Sequence, residues 1–177
     1  SLGTSFGLQW LGLDQLPRAQ KDLTVYPAFS PQIAALLQHE AALLVSTVLR
    51  HDRPLEELLS AEYVWVNQQL ADYYELATPA PLTDWQQLQI SDGSRGGLLA
   101  LGAVMVATST PTRTSPVLRG RWVLDRILGQ RVLPAPADVP AFEQTAESHP
   151  QLTLRQQLEQ HRASPTCRAC HELMDPL

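Results

Sequence analysis

Apolar residues recur at helical spacing along much of the chain, and the clearest pattern begins after Ser30. Ser30 is a favoured N-cap residue, and Pro31 suits the first position of a helix. The apolar positions that follow lie three and four residues apart, as on one face of an α-helix. They are Ile33, Leu36, Leu37, Ala41, Leu44, Val48 and Leu49. Asp52 and Pro54 interrupt the pattern, which therefore predicts a long core helix that ends shortly before them.

The middle of the chain carries two further helical patterns separated by a loop. Residues 54–76 predict a short helix and then a longer one that starts near Ser60 or Ala61. Residues 77–97 are interrupted by prolines and glycines and predict a loop. Residues 97–110 are small and apolar, which favours a buried helix packed closely against a neighbour over a strand.

Start signals of helices also occur in the last third of the chain. Ser115 and Pro116 form an N-cap and a first helical position, and Gly129 can end the helix that they begin. Thr153 with Gln156 has the pattern of a capping box and predicts the start of the last helix.

These patterns together predict an all-α protein. A helical domain is expected over residues 1–133. Residues 134–150 hold four prolines and are expected to form an extended, proline-rich strap. Residues 151–177 are expected to form a last segment that packs on the helical domain.

Length and charge narrow the class of protein. A chain of 177 residues is one medium domain, or one domain with a small appendage, and it can bury a hydrophobic core. The net charge of -5 argues against nucleic acid as the main partner. No apolar run reaches the length of a membrane span, so no transmembrane segment is expected.

The two cysteines of the chain, Cys167 and Cys170, lie three residues apart, and His171 follows directly. This spacing is typical of c-type haem attachment. Residues three apart share one helix face, so both thiols can reach the two vinyl groups of a single porphyrin. The imidazole of His171 can then ligate the iron from the same side. The sequence therefore predicts one covalent haem c, attached to a cytochrome c-like helix within residues 151–177.

Two other kinds of site use cysteines at this spacing. A redox dithiol of the thioredoxin type normally lies near a βαβ unit, and no strand is predicted around Cys167. A structural zinc ion needs four protein ligands, so it would have to recruit His171 and one more distant histidine. Both alternatives stay open at this point, and the hypothesis of a haem site is favoured.

Covalent haem attachment in bacteria takes place outside the cytoplasmic membrane. The haem motif therefore predicts a periplasmic or extracellular protein. Because the chain starts at Ser1 without a signal-peptide pattern, an export signal is expected upstream, and the sequence is expected to be a processed or partial chain.

Further candidates for the haem site are one histidine and three arginines. His161 lies six residues before Cys167, and its position at i+7 from Leu154 places it on the apolar face of the last helix. It is either the second axial ligand of the iron or a buried histidine that is hydrogen-bonded to a carbonyl or a haem propionate. The guanidinium groups of the arginines suit the carboxylate fork of the propionates, although ion pairs on a solvated helix surface explain them equally well. These arginines are Arg113, Arg119 and Arg121.

Four successive blocks, which span almost the whole chain, resemble a known family, and two motifs within them are specific. The block TRTSPVLRGRWVL begins at Thr112, and the block CRACHELMDPL runs from Cys167 to Leu177. They are similar to the TRTSPVxRGxWVL and CxxCHxxMDP motifs of the large secreted, planctomycete-type, multi-domain cytochrome proteins of unknown function. In that family a helical domain of unknown function precedes these motifs. The resemblance implies an exported, haem-bearing module with haem residues at Cys167, Cys170 and His171, and it implies no settled activity.

The expected function is electron transfer by a c-type cytochrome module, with a redox partner protein or other subunits of a larger complex. If protein ligands fill both axial positions, the iron has no open site, and electron transfer is the natural role. If the distal position is open, a peroxidase-like or oxygenase-like haem enzyme is the better hypothesis. A third possibility is an assembly subunit in which the haem acts as a structural staple. Enzymatic activity is thus left open, and an electron-transfer protein is favoured over a catalyst.

Overall fold

The computed structural model describes residues 3–131, 151–153, 155–157 and 159. The chain divides into two compact units, Ser1–Pro116 and Val117–Leu177. The predicted strap at residues 134–150 and the predicted haem-attachment helix around Cys167 lie outside the described residues. The domain boundaries proposed from the sequence therefore stay predictions.

The first unit is built around helix α2, Pro31–Arg50, which confirms the long helix predicted from the sequence. The Ser30 side chain accepts a hydrogen bond from the backbone N–H of Ile33 at 3.2 Å, as an N-cap should. Ten residues of α2 are buried. The helix is preceded by a π-helical turn, Gly3–Gly7, helix α1, Leu8–Leu11, and a 3₁₀ turn, Leu16–Arg18. Its apolar face packs against the two turns and against later elements of the same unit.

A two-stranded antiparallel sheet follows α2, so the prediction of an all-α fold is wrong. Strand β1, Tyr63–Val66, pairs with β2, Gln86–Gln89, with Tyr63 opposite Gln89. The sequence of β1 is Tyr-Val-Trp-Val, and aromatic and β-branched residues of this kind favour a strand. Three of its four residues are buried. Packing on the core therefore prevails over the helical spacing inferred for this stretch.

The elements around the sheet are short helices. Helix α3, Glu57–Ser60, confirms the predicted short helix. The longer helix predicted to start near Ser60 or Ala61 is wrong, because only α4, Gln68–Tyr73, is helical after β1. Its N-cap is Asn67, whose side-chain Oδ1 accepts the backbone N–H of Leu70 at 2.9 Å.

The small-residue segment predicted as one buried helix forms two. Helix α5 is Gly97–Ala100, and helix α6 is Gly102–Ala107. They are separated by Leu101, whose backbone is extended. Gly102 lies so close to its neighbours that an added Cβ would come within 2.5 Å of Leu37 Cδ2 and of the Tyr74 hydroxyl. The predicted close packing of this segment is thus confirmed at Gly102.

Helix α7, Pro116–Trp122, starts where Pro116 predicts and belongs to the second unit from Val117 onward. It continues as a π-helical turn, Val123–Ile127, and Gly129 follows with a positive φ of 66°.

The Thr153 N–H donates to Gln156 Oε1 at 2.9 Å, and the Gln156 N–H donates to Thr153 Oγ1 at 3.3 Å. These reciprocal bonds confirm the predicted capping box.

Among the described residues, one helix is long and apolar enough to cross a membrane, and it is α2. Signal sequences and the central helices of folded domains share this composition. Of its most apolar window of 18 residues, 61% is buried within the protein. Packing in the core therefore accounts for the apolar character of α2, while the expectation of no transmembrane segment stays a prediction.

Candidate functional site

The residues predicted to hold the haem, Cys167, Cys170, His171 and His161, lie outside the described residues. Their arrangement is therefore known only from the sequence. Among the residues that the structure does describe, no group of three or more histidine, cysteine, aspartate or glutamate side chains is placed to hold a metal ion. The donor set of the motif, two thiols and one imidazole, has the chemistry that covalent haem attachment requires.

Arg113 lies in a tight turn of the first unit. The backbone N–H of Thr110 donates to the carbonyl oxygen of Arg113 at 2.9 Å, and the backbone N–H of Arg113 donates to Thr110 Oγ1 at 3.2 Å. The bridge between Ser109 and Thr114 closes the same turn. These hydrogen bonds hold the backbone of Arg113 in place, and its side chain is half-buried.

Arg119 and Arg121 lie on helix α7 two residues apart and so point away from each other. Arg121 is exposed, and its Nε lies 3.5 Å from the carboxylate of Asp125, in an ion pair one helical turn long. Arg119 is half-buried, and its buried Nε has no hydrogen-bond partner among the described residues. The ion-pair explanation thus fits Arg121, whereas Arg119 keeps an unused buried donor.

A cavity of about 560 Å³ lies within the first unit. It is bordered by the segment before α2, by the end of α4, by the loop at Ser94 and Arg95, and by α6. Its volume falls in the range of small-molecule sites in proteins. Most of its wall is apolar or aromatic, and the residues concerned include Tyr26, Phe29, Leu37, Tyr73, Met105 and Val106.

A buried carboxyl group lies behind one wall of this cavity. The Tyr74 hydroxyl, which borders the cavity, donates to Glu40 Oε2 at 2.6 Å and accepts the backbone N–H of Gly102 at 3.2 Å. Glu40 is 1% exposed, and its other oxygen, Oε1, is buried without a hydrogen-bond partner among the described residues. One hydrogen-bond chain therefore connects α2, the end of α4 and the start of α6.

Burial raises the pKa of Glu40 to about 8, although the hydrogen bond from Tyr74 and the charge of Arg95 act in the opposite direction. The pKa of Tyr74 is raised as well, by burial and by the neighbouring Glu40. At neutral pH Glu40 is therefore mostly protonated and uncharged.

Two cations border the cavity. The guanidinium carbon of Arg95 lies 3.9 Å from the centroid of the Tyr74 ring, in a cation–π contact. Lys21 Nζ donates to three carbonyl oxygens near the end of α6, those of Val106, Ser109 and Thr110, at 2.9 to 3.2 Å. Burial lowers the pKa of Lys21. Lys21 thus caps the helix, whereas the guanidinium of Arg95 makes no hydrogen bond with the described residues.

Spacing along the sequence does not identify Glu40, Tyr74 and Arg95 as a group. One signal was available for Glu40, because it lies three residues after Leu37 and four before Leu44, within the apolar stripe of α2. An acid at such a position is buried and needs a partner. The identity of that partner depends on tertiary contacts, so it could not be read from spacing.

Comparison with protein families divides the chain into two segments. Residues 1–76 match PSD4, a protein of unknown function (DUF1592), and residues 95–177 match PSCyt3, a protein of unknown function (DUF1588). Each segment is therefore similar to a family of unknown function, and each match covers less than half of the chain. Both families are typical of planctomycete multi-haem cytochrome-like proteins. The resemblance noted in the sequence is confirmed to this extent, while haem attachment and export stay predictions.

The PSD4 and PSCyt3 segments meet in the first compact unit. That unit runs to Pro116 and so contains the whole PSD4 segment and the beginning of the PSCyt3 segment. Tyr74 belongs to the former segment, and Arg95 and Gly102 belong to the latter. The cavity is therefore lined by both segments. No curated protein and no solved structure matches the chain.

Proposed function

We propose that the chain is an extracytoplasmic c-type cytochrome module that carries one covalent haem and transfers electrons. The observation that carries this proposal is the sequence Cys167-Arg168-Ala169-Cys170-His171, which lies within the segment that matches PSCyt3. The same motif is the reason to place the protein in the periplasm or outside the cell.

Each residue of the motif has a distinct role in the proposal. The thiols of Cys167 and Cys170 would attach the haem covalently, and the imidazole of His171 would bind its iron. His161 is the leading candidate for a second protein ligand of the iron. The bound haem supplies one-electron chemistry, and the chain sets its ligands and its exposure to water.

The guanidinium groups of the arginines are proposed to bind the carboxylates of the haem. Arg119 supports this role best, because its buried Nε has no partner among the described residues and a guanidinium group suits a carboxylate. Arg113 is a second candidate, whereas the ion pair of Arg121 with Asp125 already occupies its Nε. The electron donor or acceptor is proposed to be a redox partner protein or another subunit of a larger complex.

An absorption spectrum of the purified protein, oxidised and reduced, with and without carbon monoxide, tests this function. We expect a low-spin haem spectrum that carbon monoxide does not change, because two protein ligands leave no open position on the iron. His161→Ala is expected to open that position and to make the spectrum respond to carbon monoxide. The matched control is His51→Ala, since His51 is exposed at the end of α2.

Other spectra would lead to different conclusions. A high-spin spectrum that shifts with carbon monoxide in the unchanged protein would contradict two protein ligands and favour a haem enzyme of the peroxidase-like or oxygenase-like kind. A haem without redox activity, in a protein that copurifies with other subunits, would favour the assembly role. The absence of haem bands from a protein produced with haem-attachment machinery would overturn the proposal.

A further inference from the structure

We propose that the cavity of the first unit binds a small organic anion, a carboxylate attached to an aromatic body, and that Arg95 holds the carboxylate. None of the residues that line this cavity is among those proposed to hold the haem. The cavity of about 560 Å³ is large enough for a ligand of one or two rings.

The charge of the site favours an anion. Arg95 borders the cavity with its guanidinium on the face of Tyr74, and none of its N–H donors is used by a described residue. Burial raises the pKa of Glu40, the carboxyl group bonded to Tyr74, to about 8, so at neutral pH Glu40 adds little negative charge to this wall. Lys21 adds a second positive charge at the wall, although its hydrogen bonds are directed to helix carbonyls.

The geometry of Arg95 suits a carboxylate in particular. The planar guanidinium presents paired N–H donors that match the two oxygens of a carboxylate. Its cation–π contact with the Tyr74 ring holds the guanidinium at the wall, so less side-chain freedom is lost when the ligand binds. The hydrogen bond from Tyr74 to Glu40 in turn holds the ring in place.

The rest of the wall favours an aromatic body. Phe29, Leu37 and Met105 provide apolar surface, and Tyr26 and Tyr73 provide aromatic faces with polar edges. Burial raises the pKa of Tyr73, which therefore stays an uncharged phenol at neutral pH. A ring in this cavity meets aromatic faces and the thioether of Met105, which is a favourable neighbour for rings.

Isothermal titration calorimetry with 1-naphthaleneacetate tests the proposal on the full chain. The neutral analogue 2-(1-naphthyl)ethanol has the same ring system without the carboxylate. We expect 1-naphthaleneacetate to bind the unchanged protein at least tenfold more tightly than the alcohol, because a hydrogen-bonded ion pair with Arg95 is lost in the alcohol. Equal affinities, or no binding of the acid at millimolar concentration, would overturn the proposal.

Arg95→Met removes the charge and keeps the length of the side chain. It is expected to weaken binding of 1-naphthaleneacetate tenfold or more and to leave binding of the alcohol within a factor of about three. The matched control is Arg50→Met, because Arg50 is exposed at the end of α2 and does not line the cavity. Unchanged affinity in Arg95→Met, or an equal loss in Arg50→Met, would contradict the role of Arg95.

Arg95→Lys keeps the proposal testable if Arg95→Met does not fold, as judged by circular dichroism. Lysine keeps the positive charge but cannot form two parallel hydrogen bonds. We expect an affinity for 1-naphthaleneacetate several-fold below that of the unchanged protein. An affinity equal to that of the unchanged protein would show that the paired donors of Arg95 are not used.

Discussion

The unchanged protein is expected to lose stability as the pH rises from 4.5 to about 8, and Glu40→Gln is expected to abolish this loss. Glu40 is buried, and its pKa rises from 4.5 to about 8 on folding. Between these two values the folded state holds a proton that the unfolded state has released. The free energy of unfolding therefore falls as the pH rises, by a few kcal/mol in total, and the contribution is fully present below pH 4.5. Glutamine does not ionise and so has no such dependence.

Urea unfolding at a series of pH values between 4.5 and 9 measures this effect. The difference in unfolding free energy between Glu40→Gln and the unchanged protein should grow in favour of the variant as the pH rises. Glu62→Gln is the matched control, because Glu62 is exposed and its backbone carbonyl, not its side chain, accepts the hydrogen bond of Ile90. If Glu40→Gln and the unchanged protein lose stability in parallel, Glu40 does not carry a raised pKa in the folded protein.

Gly96→Ala is expected to destabilise the first unit strongly, by about 3 kcal/mol or more. Gly96 has a φ of 138°, which residues other than glycine rarely adopt. An added Cβ would also overlap the carbonyl oxygen of Ala61, a backbone atom that cannot move alone. The loop that carries Arg95 and the start of α5 would both have to shift.

Gly93→Ala separates the two causes of this effect. Gly93 has a φ of 68°, and an added Cβ would meet no atom within 4 Å. Only the left-handed backbone is then penalised, so a loss of about 1 kcal/mol is expected. Thermal and urea unfolding of both variants give the comparison. Equal losses of stability in Gly96→Ala and Gly93→Ala would show that a Cβ at position 96 does not clash with the Ala61 carbonyl oxygen.

The sequence was sufficient for elements that local signals define. Ser30 and Pro31 gave the start of α2, and Thr153 with Gln156 gave the capping box, because caps depend on residues only three positions apart. The short helix α3 was also predicted. These features need no knowledge of the rest of the fold.

The sheet was missed for two physical reasons. Strand β1 is only four residues long, and its apolar residues also fit part of a helical stripe. Strand β2 has glutamine at three of its four positions, all exposed, so it shows no alternation of apolar and polar residues. The pairing of β1 with β2 is made by backbone hydrogen bonds, so it does not require a recognisable pattern of side chains in β2.

The cavity was missed because it depends on contacts between distant residues. Tyr74 meets Glu40 across 34 positions of the chain, and Lys21 reaches the carbonyl of Thr110 across 89. Tyr74 itself is buried. Its contact with Arg95 belongs to the tertiary structure alone. The haem motif, in contrast, could be read from five consecutive residues.

The proposed covalent haem is tested most directly by denaturing the protein and extracting it with acidified acetone, which removes haem that is not covalently bound. The protein should be produced with export and haem-attachment machinery. We predict that the denatured chain keeps the absorption of its haem and that the double variant Cys167→Ala, Cys170→Ala loses it. Haem that is extracted from the unchanged protein, or haem that stays with the double variant, would contradict the account.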